Sequence, residues 1–234
     1  MKVDKFRTVI IYIIIILLGL VCLLPLLNIV AISFSSSAAV EGNMVGLIPV
    51  GFSTAAYEKI LEDSQFWHSF LISVERVVLT LIINFVLIVL MAYPLSKTNA
   101  QFRGRNVYAN LMIFAMLFNG GMIPTFLLVK SYGLLNTVWA LVLPGAVPIF
   151  NVILVMNFFA AVPKELEEAA FIDGANPLQV LTKIFIPISK PVLATVSLFS
   201  IVGSWNDFYS GLIYMSKAAY YPLMTYIPVS YTHL

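Results

Sequence analysis

The chain has 234 residues, 61% of them hydrophobic and 10% charged, with a mean hydropathy of +0.98. A soluble domain carries about 25% charged residues, so this composition cannot clothe a water-soluble globule and places the chain in a bilayer. Thirteen Lys and Arg against eleven Asp and Glu leave a net charge of +2, which argues for neither a nucleic-acid binder nor a receptor for acidic ligands.

A hydrocarbon core about 30 Å thick takes about 20 helical residues to cross. Five apolar runs meet that length, at 8–34, 69–95, 107–129, 137–162 and 192–215. The first follows Lys2, Lys5 and Arg7; it exceeds the roughly 7–15 apolar residues of a signal peptide and is expected to stay as a membrane helix. It holds the single cysteine, Cys22, which reads as a small apolar side chain. One Cys excludes an intrachain disulfide, and with two His it excludes a Cys/His zinc site. The segment 35–68 carries Glu41, Glu58, Glu62 and Asp63, with a short surface helix predicted over 55–61.

In the second span Glu75 and Arg76 lie near one end, where their side chains are expected to snorkel to the interface. The third is interrupted by Asn119-Gly120-Gly121 and Pro124, the fourth by Pro144, Gly145 and Pro148. Broken backbone at membrane depth survives only where other helices or a hydrated cavity satisfy the freed groups. Asn119 and Asn151 are therefore candidate lining residues of a translocation path, with Asn206 and Asp207 of the fifth span. An ionised carboxylate at mid-bilayer costs about 2.5–3.5 kcal/mol, so Asp207 either lines a hydrated path or caps a helix break. Its neighbours Trp205, Phe208 and Tyr209 suit sugar stacking or an interfacial aromatic belt.

Nine of the thirteen basic residues fall in the amino-terminal tail and the 96–106 and 163–191 loops. That asymmetry puts the amino terminus and both loops in the cytoplasm. The 163–191 loop predicts a helix–turn–helix. Pro163 suits a first helical position, Glu165, Glu167 and Glu168 favour the positive end of the helix dipole, and Gly174 after Asp173 suits a left-handed cap. Leu166, Ala169, Ala170 and Asp173 share one face, nearly smooth at its middle. Asn176 is expected to cap a second helix opening at Pro177 and closed by Pro187, with Leu178, Leu181, Thr182 and Phe185 as its stripe.

The spacing Glu168-Ala169-Ala170, Gly174, Ile184, Ile186-Pro187 resembles the EAA loop of permease subunits in binding-protein-dependent ABC importers, with Ile186 where Leu is usual. Ala92-Tyr93-Pro94-Leu95-Ser96-Lys97, Phe118-Asn119-Gly120-Gly121-Met122-Ile123-Pro124, Gly133-Leu134-Leu135-Asn136-Thr137 and Trp205-Asn206-Asp207-Phe208 are similar to carbohydrate-uptake permeases of the maltose-type second-permease group, and within it to those for oligosaccharides.

The resemblance implies an all-α polytopic helical bundle of the ABC importer permease (MetI-like) type in the bacterial inner membrane. Five spans are present and a sixth is expected beyond Pro228, the ending 229–234 resembling translated read-through of an incomplete frame. It also implies a homologous second permease, two cytoplasmic ATPase subunits that bind ATP and Mg, an extracytoplasmic sugar-binding protein and surrounding membrane lipid, with no nucleic acid. Glu168, Ala169, Ala170, Asp173 and Gly174 become the ATPase-coupling residues. Consistent with this, the chain has no G-x-x-x-x-G-K-[ST] loop for nucleotide phosphates, and no catalytic residues are expected. The alternative is a proton-coupled secondary transporter using Asp207. A membrane enzyme ranks below both, since His68 and His233 have no nucleophile beside them in the pattern.

Overall fold

The computed structural model describes residues 5–118 and 120–231, with side chains from Thr8 to Ser230. Asn119, Lys2 and His233 lie outside the described residues, as do the side chains of Lys5 and Arg7. All regular structure among the described residues is helical. The chain divides into two compact units, residues 1–64 and 65–234.

The first unit is built on α1 (Lys5–Ser33). Over its most apolar 18 residues the span Thr8–Ser33 buries none, Ala31 near its end being the buried one, and it is apolar all round, as a helix facing lipid must be. Beyond it come α2 (Ser37–Glu41) and α3 (Ala55–Glu62), the latter where the sequence places a surface helix. Asn28 Nδ2 donates to the carbonyl of Val45 at 3.2 Å, and Phe34 stacks on Phe52 and Tyr57 with centroids 5.7 and 5.0 Å apart. These contacts fold the segment after the span back on its own helix end.

The second unit opens with α4 (Ser64–Leu95), one unbroken helix of 32 residues. The third and fourth predicted spans are each two helices. They are α5 (Arg105–Leu117) with α6 (Met122–Ser131), and α7 (Val138–Val142), extended by a 3₁₀ turn at Leu143–Gly145, with α8 (Ile149–Ala160). A third bent pair joins the helical run Pro177–Ile188, from the 163–191 loop, to α12 (Lys190–Asn206), which covers the first part of the fifth predicted span. The bends are 48° at Pro148 and 84° at Ser189. By length and composition the described residues thus hold two helices able to cross a membrane, or up to five spans if each bent pair counts once.

The buried core joins α4 (Ile88, Val89, Ala92, Leu95), α8 (Val152, Val155, Phe159) and α12 (Val192, Leu193, Val196) with Val180, Leu181 and Phe185. A second cluster gathers Val129, Ala140, Leu141, Tyr214 and Met215. Asn136 ties it down from a left-handed turn (φ +62°), its Oδ1 accepting from the Ser216 N–H at 2.7 Å. The fifth predicted span does not run to 215: α12 stops at Asn206 and a separate α13 (Tyr209–Tyr214) follows. Gly211 on α13 is required by α14 (Leu223–Tyr231), because a Cβ there would meet Thr225 Oγ1 and lie 2.9 Å from the Pro222 ring.

Candidate functional site

The 163–191 loop folds as α9 (Lys164–Ile172), α10 (Pro177–Val180), a π turn over Leu181–Phe185, and α11 (Ile186–Ile188). Gly174 sits at φ +82°, the Ala175 N–H donates to Ala170 at 2.9 Å and the Gly174 N–H to Phe171 at 3.1 Å. This is a Schellman cap, and it satisfies two carbonyls that a helix end leaves free. Asn176 Oδ1 accepts from the Gln179 N–H while Gln179 Oε1 accepts from the Asn176 N–H, both at 2.9 Å. The two caps set α9 and α10 at a corner, whose crook holds an open pocket of about 450 Å³ beside Asp173, Gly174, Gln179 and Lys183.

Pro187 does not close the second helix. Its ring would clash with the carbonyl four residues back in an α-helix, and the wider π turn over 181–185 accommodates it, so helix continues to Ile188. The same turn changes the register. Val180, Leu181 and Phe185 are the buried stripe, while Leu178 and Thr182 are exposed.

On α9 the expected smooth face is outward. Leu166, Glu168, Ala169, Asp173 and Gly174 are exposed and Ala170 is half-buried. The residue that holds α9 to the bundle is Glu167, which is buried, with Oε2 2.7 Å from Lys97 Nζ. The ammonium also lies over the rings of Tyr93 and Phe185, at 4.1 and 4.2 Å from their centroids. Burial pushes the Lys97 amine below the usual lysine range, and Glu167 opposes that shift.

Arg76 is not snorkelled outward: it is only 3% exposed. Its Nη2 pairs with Asp207 Oδ2, its Nη1 donates to the Asp207 carbonyl at 3.2 Å, and its Nη2 reaches the Leu141 carbonyl at 3.5 Å. Asp207 Oδ1 accepts from the Ser210 N–H at 3.1 Å. Asp207 caps the break between α12 and α13 and also lines a pocket of about 250 Å³. Around that pocket stand Arg76, Thr80 and Asn84 on successive turns of α4, the predicted Asn151, Ser200 of α12, and the break residues Pro144, Gly145 and Pro148.

Arg76 Nε, Thr80 Oγ1 and Asn84 Oδ1 are buried and have no hydrogen-bond partner among the described residues. Such groups call for a polar occupant. Asn206 is exposed and does not line this pocket; Trp205 packs edge-on against Phe70 at 6.0 Å, within a cluster that includes Trp67. Thr80 and Asn84 are lining residues the sequence did not single out, and Arg76 was expected at the interface instead. Their spacing of four residues down one helix face was the available signal.

A helical membrane bundle with broken spans around a polar pocket, carrying a capped helix–turn–helix between its last two spans, defines a permease component. The chain belongs to the family described as the binding-protein-dependent transport system inner membrane component, whose model matches residues 77–230.

It is 44% identical over 205 residues to the protein LplC of Bacillus subtilis (strain 168), covering 88% of this chain and 69% of that one. To the polygalacturonan/rhamnogalacturonan transport system permease protein YtcP of the same organism it is 41% identical over 220 residues, covering 94% and 76%. Its structure matches that of a bacterial ABC transporter involved in import of the acidic polysaccharide alginate, with a TM-score of 0.91 at 34% identity, covering all of this chain and 83% of the other. The proton-coupled alternative through Asp207 gains no support, since the family is one of binding-protein-dependent systems.

Proposed function

We propose that this chain is the permease subunit of an ATP-driven oligosaccharide importer, itself without catalytic residues, and that α9 docks on a separate ATPase subunit that binds ATP and Mg. The observation that carries the reading is the outward face of α9, with Glu168, Ala169 and Gly174 exposed at a rigidly capped corner. Small side chains let a partner backbone come close, Glu168 offers acceptors and charge, and Asp173 rims the crook. Two such ATPases, a homologous second permease and an extracytoplasmic sugar-binding protein complete the assembly, with the amino terminus in the cytoplasm and α1 against lipid.

The solute path passes the pocket of Asn151 and Asp207, where the orphaned atoms of Arg76, Thr80 and Asn84 include both donors and acceptors. Sugar hydroxyls match that mixture. Asn119 is kept as a path candidate on sequence grounds alone. The carbohydrate assignment is supported by the named substrates of YtcP and of the alginate importer.

The test is a cysteine at Ala169 in the assembled transporter. Crosslinking to the ATPase subunit is expected, and its absence in every nucleotide state would remove the docking role. Uptake by the reconstituted complex across a panel of oligosaccharides tests the substrate class, and uptake of none of them would overturn it.

A further inference from the structure

The Lys97 side chain occupies a closed setting that the docking role of α9 does not by itself require. It lies just beyond α4 and is bound at once to α9 through Glu167 and to the π turn of the same loop through the Phe185 ring. Both charged side chains are nearly enclosed, with 12% and 10% of their surface exposed. Tyr93 stacks edge-on against Phe185 at 5.1 Å, Phe185 edge-on against Phe159 of α8 at 5.4 Å, and the Tyr93 hydroxyl lies 3.5 Å from Glu167 Oε1. One ammonium therefore meets an anion and two ring faces contributed by three separate parts of the chain. Exposed surface pairs contribute little, but this pair is enclosed, and removing one partner would strand a buried charge.

From Leu95 to Arg76 the helix α4 is unbroken. Those residues span roughly 28 Å at 1.5 Å per residue. One end holds the Lys97 knot and the other the guanidinium that lines the polar pocket. Every other predicted span in this unit is broken by a bend or a gap, so α4 is the element able to carry a displacement without absorbing it.

We infer that Lys97 is a positioning residue for energy coupling: it pins α9 to the cytoplasmic end of α4, so that movement of α9 shifts α4 and, through it, Arg76 and the pocket. The inference rests on the docking of α9 proposed above and adds the route by which that docking reaches the membrane. Lys97 contacts neither nucleotide nor solute in this role. It acts through Glu167.

The test uses the complete transporter in proteoliposomes, with Cys22 replaced by Ser and spin labels at Thr98 and Glu165, both exposed. In the parent the label distance is expected to stay constant between the nucleotide-free and vanadate-trapped states, because both labels move as one body. In Lys97→Met, which keeps the apolar stem and removes the charge, the distance is expected to change between states. Solute taken up per ATP hydrolysed is expected to fall about tenfold, within the range usual for coupling between two sites. Lys97→Arg keeps the cation and is expected to restore both readings.

A constant label distance in Lys97→Met, or an unchanged ratio of uptake to hydrolysis, overturns the inference. So does a loss of uptake and hydrolysis in equal proportion, which marks an assembly defect. The crosslink from Ala169 to the ATPase, measured on the same variants, separates the two readings. If it persists while coupling is normal, only the role of Lys97 fails; if it is absent from the parent, the docking of α9 fails first.

Discussion

Replacing Gly174 by Val isolates the backbone requirement of the coupling corner from any steric one. Gly174 has φ +82°, and a Cβ built on it meets no heavy atom within 4 Å. Nothing in the fold resists the side chain itself. The cost is the left-handed conformation, about 1–2 kcal/mol for an ordinary L-residue, and more for a β-branched one. The chain can avoid that strain by opening the Schellman cap, giving up the bonds from Ala175 and Gly174 to the α9 carbonyls.

These groups are exposed or half-buried, so water replaces part of what is lost, and α9 stays attached through Glu167 and Lys97. The bundle is therefore expected to insert and fold normally, with α9 turned away from its docking angle. A penalty of one to two kcal/mol shifts the docked fraction by about 5–30-fold. Uptake and ATP hydrolysis in proteoliposomes measure the result, against Gly174→Asn as control. Asn tolerates the left-handed region and is expected to retain most coupling although it is far larger than Gly. Full activity of the Val variant, or equal damage by Asn and Val, would refute the argument, the latter by pointing to a steric contact with the partner.

Three further substitutions test other links. Asp207→Asn leaves Arg76, 3% exposed, with a buried charge lacking its anion, which is expected to cost about 3–5 kcal/mol; a lowered melting temperature in detergent checks it, and Arg76→Met/Asp207→Asn together are expected to recover most of the loss. Gly211→Ala drives a methyl group into Thr225 and the rigid Pro222 ring, so folded yield by size-exclusion chromatography is expected to drop sharply, while Gly203→Ala, where a Cβ meets nothing, leaves it unchanged. Asn176→Ala removes one half of a capping box on an exposed corner and is expected to cost about 1 kcal/mol locally, read as faster amide exchange over 178–180 with little change in overall melting.

Much of the molecule was legible from the chain because its signals are local. Apolar runs located the long apolar helices α1 and α4, Pro144, Gly145 and Pro148 located the break in the fourth run, and Gly174 and Asn176 located both caps of the α9–α10 corner. What was missed depends on partners distant in sequence. Arg76 and Asp207 are 131 residues apart, and each alone invites a local remedy, snorkelling for one and capping for the other. Glu167 was grouped with Glu165 and Glu168 as a dipole-favoured anion, since nothing nearby marks it as the buried one; its cation is 70 residues back. The π turn had a local cause in Pro187, but the same proline serves as well to end a helix as to distort one, and only packing of Leu181 and Phe185 into the core decides between them.

The broken spans and the buried arginine account for each other. A helix that stops inside the bilayer leaves carbonyls without donors, and an unsatisfied group there costs several kcal/mol. A guanidinium at the same depth is costly for the opposite reason, having donors without acceptors. Arg76 reaches the Leu141 carbonyl at the end of α7 and the Asp207 carbonyl at the end of α12, and it neutralises the Asp207 carboxylate. Two helix ends and one carboxylate, each unfavourable in lipid, are thereby satisfied by one side chain that is itself unfavourable there. With these demands met internally, Thr80, Asn84 and the Arg76 Nε are left facing the pocket. A pocket neutralised in this way still presents donors and acceptors, which is the balance the proposed sugar path would need to admit a hydroxylated solute and release it again.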